Sequence, residues 1–454
     1  MKVARRESLA VAVGVVLVAA AVLLPWLDRG VVPRLDIGPQ PFATHAQAAP
    51  IFGTWEIHAS WGTGPAILIA LAAVAWGPGV AQRLSWRTLT LGTWATACAW
   101  AFALAMIDGW QRGFAGRLTT RDEYLSQVPT ITDIPAALRT FTSRIVDYQP
   151  NSWVTHVSGH PPGALLTFVW LDRIGLHGGA WAGLLCLLAG SSAAAAVLIG
   201  VRALADEQTA RRAAPFVAVA PTAIWIAVSA DGYFAGVAAW GVALLAVAVH
   251  RPVRFPALIA AAAGLLLGWA VFLSYGLALL GIPALAVLVS ASDWRAALRA
   301  LVPATLAALG VAVSFAVAGF SWFDGYTLVQ QRYWQGIAKY RPFQYWSWAN
   351  LACVVCAIGL GSVAGISRVF DWASNKAAVR RRSGFHLLLV AMLAAIVFAD
   401  LSMLSKAEVE RIWLPFTVWL TAAPALLPMR SHRGWLALNA AGALLVNTVM
   451  VTNW

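Results

Sequence analysis

The stretch HVSGHPPGALLTFVWLDR, residues 156–173, decides how this chain is arranged. It opens with polar residues, turns at Pro161 and Pro162, and continues as a short apolar run that ends at Asp172. The run either crosses a membrane or stays on one surface of it. The choice fixes which side every later loop faces, and therefore where any chemistry takes place.

The composition places the chain in a membrane. Of its 454 residues, 60% are hydrophobic and 11% are charged, whereas soluble domains average about 25% charged residues. Apolar blocks of roughly 17–25 residues, the length that spans a bilayer core, recur along the sequence. We therefore predict an all-α polytopic membrane protein, a bundle of about 13 transmembrane helices. The predicted spans are residues 8–27, 65–82, 88–107, 180–201, 213–230, 233–249, 256–274, 276–291, 299–319, 344–366, 385–403, 411–428 and 434–451.

The net charge of +13 would suit a nucleic-acid-binding protein. In a membrane protein, however, basic residues gather in cytoplasmic loops, so we expect no nucleic-acid partner. If residues 161–177 crossed the membrane, Arg202, Arg211 and the basic cluster at 380–382 would face outward, against this rule. If the segment stays on the outer surface, most of the 32 lysines and arginines face the cytoplasm. At about 13 apolar residues it is also short for a span, and we predict that it does not cross.

Two parts follow from this layout. Residues 1–87 hold two N-terminal transmembrane helices joined by an outer loop, and residues 88–454 form the transmembrane core. The loop at residues 108–178 is too long for a simple connector, and loops of that size are usually functional. We expect it to form short helices that lie on the membrane. The prediction is a multi-pass protein of the cell membrane, with a cytoplasmic N-terminus and an active site on the outer face.

Ionisable residues gather at the predicted outer rim. Asp231 stands in AVSADGYF (227–234), at the junction of two predicted helices. Arg411 stands in DLSMLSKAEVERIWLPF (400–416), where an apolar span begins. Ionisable groups at membrane depth are costly unless they are used, so both are candidates for function. A further rim segment supplies the basic residues Arg332, Lys339 and Arg341.

Three short motifs resemble the GT-C glycosyltransferases. RDEYL (121–125) resembles the acidic signature of that family's first large outer loop, GHPPGALL (159–166) resembles its His-Pro-Pro segment, and SADGYF (229–234) resembles its second acidic site. Their order and sidedness are similar as well. The resemblance implies a bundle fold like that of the family. It also implies a transferase that takes a sugar from a polyprenyl-phosphate donor among the membrane lipids, and passes it to a glycan or glycolipid acceptor on the outer face.

The arginine- and alanine-rich composition indicates a GC-rich genome. Together with the resemblance, it suggests an actinobacterial cell-wall enzyme that modifies lipoarabinomannan, such as a methylthioxylose or an arabinose transferase. Two helices precede the first one that is usual in the family, which is a departure from its core. Because of them, Asp36 in the first loop competes for the catalytic role.

Inverting glycosyl transfer needs a base for the acceptor hydroxyl and positive charge for the departing phosphate. The resemblance implies an aspartate as the base. Asp122 matches the family position and Glu123 is second, while Asp108 and Asp36 stay open. The alternative interpretation is that Asp122 and Glu123 merely favour the positive end of a helix dipole. The length of their loop favours a functional role.

Supporting roles are predicted for three residues that would bind the acceptor or assist the base: Asp231, His160 and Tyr124. An Asp-Gly pair at 231–232 is equally typical of a turn between helices, and His160 would equally order the Pro-Pro turn. Arg411 is predicted to bind the donor phosphate with its planar guanidinium, and an ion pair with Glu408 is the alternative. The secondary candidates for the phosphate are Arg332, Lys339 and Arg341.

These motifs indicate no definite cofactor, and a divalent cation stays open. Histidine and aspartate side chains could hold a divalent cation, but no tight ligand spacing predicts a metal site. The main alternative function is a lipid-linked sugar transporter or flippase. Transporters tend to show internal repeats and charges near mid-membrane. Here the charges gather at the rim and no repeat is evident, which favours the transferase.

Overall fold

A computed structural model describes residues 5–27, 48–369 and 379–452. These residues form helices almost throughout, together with one small pair of strands. The helices, in chain order, are α1 (Arg5–Leu23), α2 (Thr63–Arg83), α3 (Trp86–Ala105), α4 (Ile134–Arg139), α5 (Thr155–Ser158), α6 (Pro162–Arg173), α7 (Gly179–Ser191), α8 (Ala193–Leu204), α9 (Glu207–Ala218), α10 (Ala223–Ile226), α11 (Ala230–His250), α12 (Pro256–Leu273), α13 (Gly281–Val289), α14 (Trp294–Val317), α15 (Trp322–Gln335), α16 (Phe343–Ile358), α17 (Leu360–Ile366), α18 (Val379–Leu401), α19 (Val409–Ile412), α20 (Leu414–Leu420) and α21 (His432–Val449). The strands are β1 (Gly53–Trp55) and β2 (Met450–Thr452).

Eight helices of the described part are long and apolar enough to cross a membrane. They are α1, α2, α3, the run α7–α8, α11, α12, α14 and α18. A ninth span results if α16 and α17 are counted together, although they meet at 107°. The bend falls at Gly359, whose φ is +78° and where a Cβ would lie 2.6 Å from Oδ1 of Asn439, so glycine is required there. The prediction of an all-α polytopic membrane protein is confirmed.

Some predicted spans are broken rather than continuous. In the predicted span 213–230, α9 and α10 are separated at Pro221. In the predicted span 411–428, Pro415 stands at the start of α20 and Pro424 in the 3₁₀ turn after it. Proline lacks the backbone N–H that continues a helix, and its ring clashes with the preceding turn. These prolines explain why long apolar runs give short helices here.

Helix α3 connects the two ends of the bundle. At its start, the guanidinium of Arg202 lies 4.3 Å from the centre of the Trp86 ring, and Arg211 donates to two backbone carbonyls at the end of α2. At its other end, α3 leads directly into the loop at residues 108–178. The basic 202–212 segment and the long loop therefore lie at opposite ends of the bundle, as expected when positive charge collects on one side.

Residues 161–177 do not form a span. They contribute α6, whose 12 residues give a length of about 18 Å against a bilayer core of about 30 Å. Both flanks of α6 lie at the same end of the bundle. Before it, the backbone N–H of His156 donates to the carbonyl of Asp122 at 3.1 Å. After it, a Cβ on Gly179 would lie 1.9 Å from the carbonyl oxygen of Ala115, so the close contact there depends on glycine.

The strands join distant parts of the chain. β1 pairs antiparallel with β2, and Gly53 lies opposite Thr452. A Cβ on Gly53 would lie 2.4 Å from the carbonyl oxygen of Val451, so the pairing uses the absence of a side chain. Nη2 of Arg117, in the long loop, donates to the carbonyl of Thr452 at 2.7 Å. Three segments that are far apart in sequence therefore meet at one corner of the molecule.

Candidate active site

Arg411 connects three separate parts of the chain. Its Nη1 donates to Oδ2 of Asp231 at 2.5 Å, and its Nη2 donates to Oε2 of Glu408 at 2.9 Å and to Nε2 of His156 at 3.1 Å. Asp231 lies in the first turn of α11 and His156 in α5 of the long loop. Only 6% of Arg411 and 4% of Asp231 is exposed. The structure therefore brings Asp231 and Arg411, which the sequence singled out separately, into one buried cluster.

Glu408 is shared by two guanidinium groups. Its Oε1 accepts from Nη2 of Arg341 at 2.8 Å, while its Oε2 accepts from Arg411. Burial alone would raise the pKa of Glu408, but the positive charges of Arg341 and Arg411 outweigh that effect and lower the pKa to about 2. Glu408 is therefore fully ionised at neutral pH and links the two arginines.

A turn with unusual backbone geometry places Glu408. Ala407 and Glu408 both have left-handed φ angles, 66° and 64°, which cost about 1–3 kcal/mol each outside glycine. Asn350 of α16 holds the turn, because its Oδ1 accepts from the N–H of Ala407 at 3.2 Å and its Nδ2 donates to the carbonyl of Ser405 at 2.7 Å. Strain of this kind persists where the surroundings fix it, commonly at functional sites.

His156 is held in one neutral tautomer. Its Nδ1 lies 2.9 Å from the backbone carbonyl of Asp122, which can only accept, so Nδ1 carries the proton. Its Nε2 faces Nη2 of Arg411, which can only donate, so Nε2 is unprotonated and accepts. The ring therefore orients both the arginine and the acidic motif. Its lone pair is already engaged by Arg411, so in this arrangement His156 does not serve as a base.

The two adjacent carboxylates of the acidic motif have different surroundings. Asp122 is exposed, and its Oδ1 accepts from Oγ1 of Thr155 at 3.1 Å. Glu123 is buried, with 8% exposed, and its Oε1 lies 3.5 Å from Nδ1 of His156. Asp122 is thus open to an incoming molecule, whereas Glu123 faces the interior of the site.

A narrow cavity opens beside this cluster. Its enclosed part has room for about one water molecule, and the space of about 300 Å³ includes the open solvent at its mouth. Charged groups of both signs meet in its wall, which suits a polar ligand better than a hydrocarbon. We call it the Arg411 cavity. It is lined by Arg117, Glu123, Tyr124, His156, Val228, Ser229, Ala230 and Arg411.

The side chains of Tyr124 and His160 pack against each other next to the Arg411 cavity. The Tyr124 ring stacks on Phe168 with 5.4 Å between centroids and lies 5.8 Å from the His160 ring. Nδ1 of His160 donates to the carbonyl of His156 at 2.8 Å. Burial lowers the pKa of His160 to about 4, and burial raises the pKa of Tyr124 well above its usual value. Both side chains are therefore uncharged near neutral pH.

The three secondary candidates for binding the phosphate lie in different places. They are Arg332, Lys339 and Arg341. Arg341 joins the cluster through Glu408. Arg332 forms an ion pair with Asp147, and its Nε donates to Oγ of Ser158 at 3.2 Å, so it lies beside the loop. Lys339 is exposed, with its Nζ 4.7 Å from the centre of the Tyr340 ring, and makes no contact with Arg411 among the described interactions.

Other candidates lie elsewhere. Asp36 falls outside the described residues. Asp108 pairs with Nε2 of His58 at 2.6 Å. Within the ranges that the structure describes, no three His, Cys, Asp or Glu side chains come together as a metal-binding group, so the divalent cation stays an untested expectation. Neither His156 nor Arg117, which both line the cavity, is among the site residues predicted from the sequence. The spacing of His156 and His160, one helical turn apart, was the available signal for the first.

The comparisons with known proteins bear on the fold. No model of a known protein family matches the sequence, and no curated protein matches it. Among solved structures, the chain is similar to the oligosaccharyltransferase of Archaeoglobus fulgidus. For the apo form the TM-score is 0.52 at 14% identity, over 76% of this chain and 51% of that one. For the complex with Zn and sulfate the TM-score is 0.51 at 15% identity, over 79% and 52%.

The chain thus spans about half the length of the oligosaccharyltransferase structures that it matches. It is also similar to ArnT from Cupriavidus metallidurans bound to undecaprenyl phosphate, with 16% identity over 78% of this chain and 76% of that one. At a TM-score of 0.49, this last similarity adds nothing to the assignment. The chain therefore shares its fold with that oligosaccharyltransferase over about three quarters of its length, and the predicted all-α bundle is confirmed.

Proposed function

We propose that the protein is a membrane glycosyltransferase that moves a sugar from a polyprenyl-phosphate donor to a glycan or glycolipid acceptor, on the outer face of the cell membrane. One observation carries the proposal. On a GT-C fold, Glu123 of the acidic motif and the cation Arg411 line one cavity, and the buried Asp231 holds Arg411 beside it. A purely structural role would not require charged groups from three parts of the chain to meet beside one polar cavity.

The proposed step is an inverting displacement at the anomeric carbon. The acceptor hydroxyl oxygen attacks that carbon, its proton passes to a carboxylate, and the bond from the anomeric carbon to the phosphate oxygen breaks. Polyprenyl phosphate leaves with the electron pair of that bond. Asp122 is the preferred base because its carboxylate is exposed and oriented by Thr155. Glu123 is the alternative, because it lines the cavity itself.

The positive charge that receives the leaving group comes from the arginines beside the cavity. Arg411 is fixed by Asp231, Glu408 and His156, so no reorganisation is needed when charge develops on the phosphate. Asp231 then acts by holding Arg411 rather than by binding the acceptor directly. His160 and Tyr124 act further back, by fixing His156 and its segment of the long loop.

Transfer from a radiolabelled polyprenyl-phosphate sugar, catalysed by membranes that contain each variant, tests the proposal. Asp122→Asn is expected to lower the rate by about 10²- to 10⁴-fold, the usual contribution of a general base. Glu123→Gln is expected to lower it less. Asp133→Asn is the matched control, because it removes an equal charge from the same loop and keeps a residue that caps α4.

Two results would contradict the proposal. Normal transfer by both Asp122→Asn and Glu123→Gln would remove the acidic motif from the chemistry. Movement of intact lipid-linked sugar across liposome membranes, without formation of a glycosidic bond, would favour the flippase. The proposed actinobacterial setting and the lipoarabinomannan acceptor rest on composition and resemblance alone. Glycan profiling of a deletion strain would identify the missing sugar.

A further inference from the structure

Arg117 differs from the other arginines around the Arg411 cavity. It lies in a 3₁₀ turn of the long loop, and its side chain is 16% exposed. Arg411 has two carboxylates within 2.9 Å, and Arg341 has a carboxylate at 2.8 Å. The closest carboxylate of Arg117 is that of Asp108, with 3.7 Å between Nη2 and Oδ2. Its shortest hydrogen bond goes to the carbonyl of Thr452, at 2.7 Å.

The carboxylate of Asp108 is already engaged by a second side chain. Its Oδ1 lies 2.6 Å from Nε2 of His58, and Nδ1 of the same ring lies 2.9 Å from the carbonyl of Glu56. The contact with Glu56 holds the ring in place, so His58 fixes the position of Oδ1. Oδ2 of Asp108 stays 3.7 Å from Nη2 of Arg117, beyond the usual hydrogen-bond distance.

The charge of Arg117 is consequently poorly compensated. Burial lowers its pKa, and the charges of Asp108 and Glu123 oppose that effect without cancelling it. A guanidinium carries five N–H donors in a planar fork that matches phosphate oxygens. The fork makes one short hydrogen bond, to Thr452, and a longer contact with Asp108, so part of it remains for a ligand in the wall of a polar cavity. An arginine in this state gains more from an anionic ligand than one that is already neutralised by carboxylates.

We propose that Arg117 binds the phosphate of the lipid-linked donor in the Arg411 cavity, and that His58 keeps it available by holding Asp108 away from it. The proposal rests on the proposed function, because that function supplies the lipid phosphate. Arg411, fixed between two carboxylates, then provides charge in the wall, while Arg117 makes the direct contact. His58 is a positioning residue, because it acts through Asp108 and does not touch the ligand.

Binding without turnover tests the assignment. The full chain in nanodiscs is titrated with undecaprenyl phosphate, with undecaprenol as the uncharged control. Arg117→Gln is expected to weaken binding of the phosphate by about 10- to 100-fold, the loss of a charge-assisted hydrogen-bond pair, and to leave binding of the alcohol unchanged. Arg117→Lys keeps the charge but not the planar fork. Its affinity for the phosphate is expected to lie between those of the unmodified protein and Arg117→Gln. The control Arg112→Gln, a partly exposed arginine of the same loop, is expected to bind normally.

A second comparison isolates the role of His58. His58→Phe releases Asp108 toward Arg117 and is expected to weaken phosphate binding by about tenfold. Adding Asp108→Asn to that variant is expected to restore binding, which a general loss of structure would not do. Failure of the second substitution to restore binding would overturn the role of His58.

The outcomes separate this inference from the function on which it rests. If the unmodified protein binds no undecaprenyl phosphate, the donor class is wrong and the proposed function fails with it. If the unmodified protein binds it and both Arg117 variants bind equally well, only the assignment of Arg117 is overturned. If inorganic phosphate competes as strongly as the lipid, Arg117 recognises a free anion and the lipid source is overturned.

Discussion

Asp231 and Arg411 are separated by 180 positions in the sequence, yet their side chains form a buried ion pair with 2.5 Å between Oδ2 and Nη1. The pair joins the first turn of α11 to the short helix α19. A buried ion pair is weak evidence for stability by itself, since desolvation offsets much of the attraction. Its significance here is positional, because Arg411 also contacts His156 of the long loop. The two residues therefore tie the loop to the transmembrane bundle.

Removing one partner of this pair should be costly. Asp231→Asn leaves the buried Arg411 without one of its carboxylates, and we expect the free energy of unfolding to fall by about 3–5 kcal/mol. Denaturant unfolding in detergent measures the change. Asp293→Asn is the control, since its partner Arg299 is exposed and such pairs contribute about 0–1 kcal/mol. Equal losses for the two variants would contradict the buried arrangement.

The low pKa of Glu408 predicts an acid-sensitive site. Its pKa is about 2 in the folded protein and about 4.3 when unfolded, so its ionisation stabilises the fold above about pH 4.3. That stabilisation is lost as the pH falls from about 5 towards 2. We expect Glu408→Gln to be less stable at neutral pH and to lose less stability over this range. Parallel stability curves for the variant and the unmodified protein would count against the Arg341–Glu408–Arg411 contacts.

The low pKa of His160 predicts a loss of stability in a different pH range. Burial lowers its pKa to about 4, against about 6.5 when unfolded. Between these values the unfolded chain binds more protons, so stability should fall as the pH drops from about 6.5 to 4. Thermal unfolding across this range measures the slope. His160→Gln removes the titrating group, and its slope should be shallower. An unchanged slope would show that His160 is accessible to water.

A substitution at Gly179 tests the contact between the long loop and the bundle. In Gly179→Ala the added methyl carbon would lie 1.9 Å from the carbonyl oxygen of Ala115, so the loop must shift. We expect a loss of about 1–3 kcal/mol in the free energy of unfolding, together with reduced transfer activity. Gly64→Ala is the matched control, because nothing lies within 4 Å of that Cβ. It should be neutral or slightly stabilising in a helix. Normal stability and activity of Gly179→Ala would contradict the contact.

The sequence predicts the general architecture well, for a simple reason. Apolar runs of bilayer length and the distribution of arginine depend on local composition, and both are read directly. Pro221 and Pro424 are visible in the sequence too, but only the structure shows that the predicted spans are broken there. The short, non-crossing character of α6 followed from its length and from the charge of later loops.

The contacts of the site could be predicted only in part. Asp231 and Arg411 are conspicuous as charges in apolar surroundings, but no local pattern indicates that they pair. Of the two interpretations of Arg411, the structure shows the ion pair with Glu408, and the contact with the donor phosphate stays a prediction. The left-handed backbone at Ala407 and Glu408 has no sequence signal, because neither is glycine. Arg117 owes its exceptional state to His58 and Thr452, both distant in sequence.

The pairing of β1 with β2 constrains the order in which the molecule is completed. Thr452, whose carbonyl holds Arg117, belongs to a strand that follows α21, and its partner strand lies almost 400 positions earlier. During biosynthesis this corner stays unfinished until α21 and β2 have been made. A chain that stops before Met450 would carry the acidic motif, His156 and Arg411, and would still leave Arg117 without its anchor. Arg117 should therefore become able to bind an anion only late in biosynthesis, after most of the bundle has assembled.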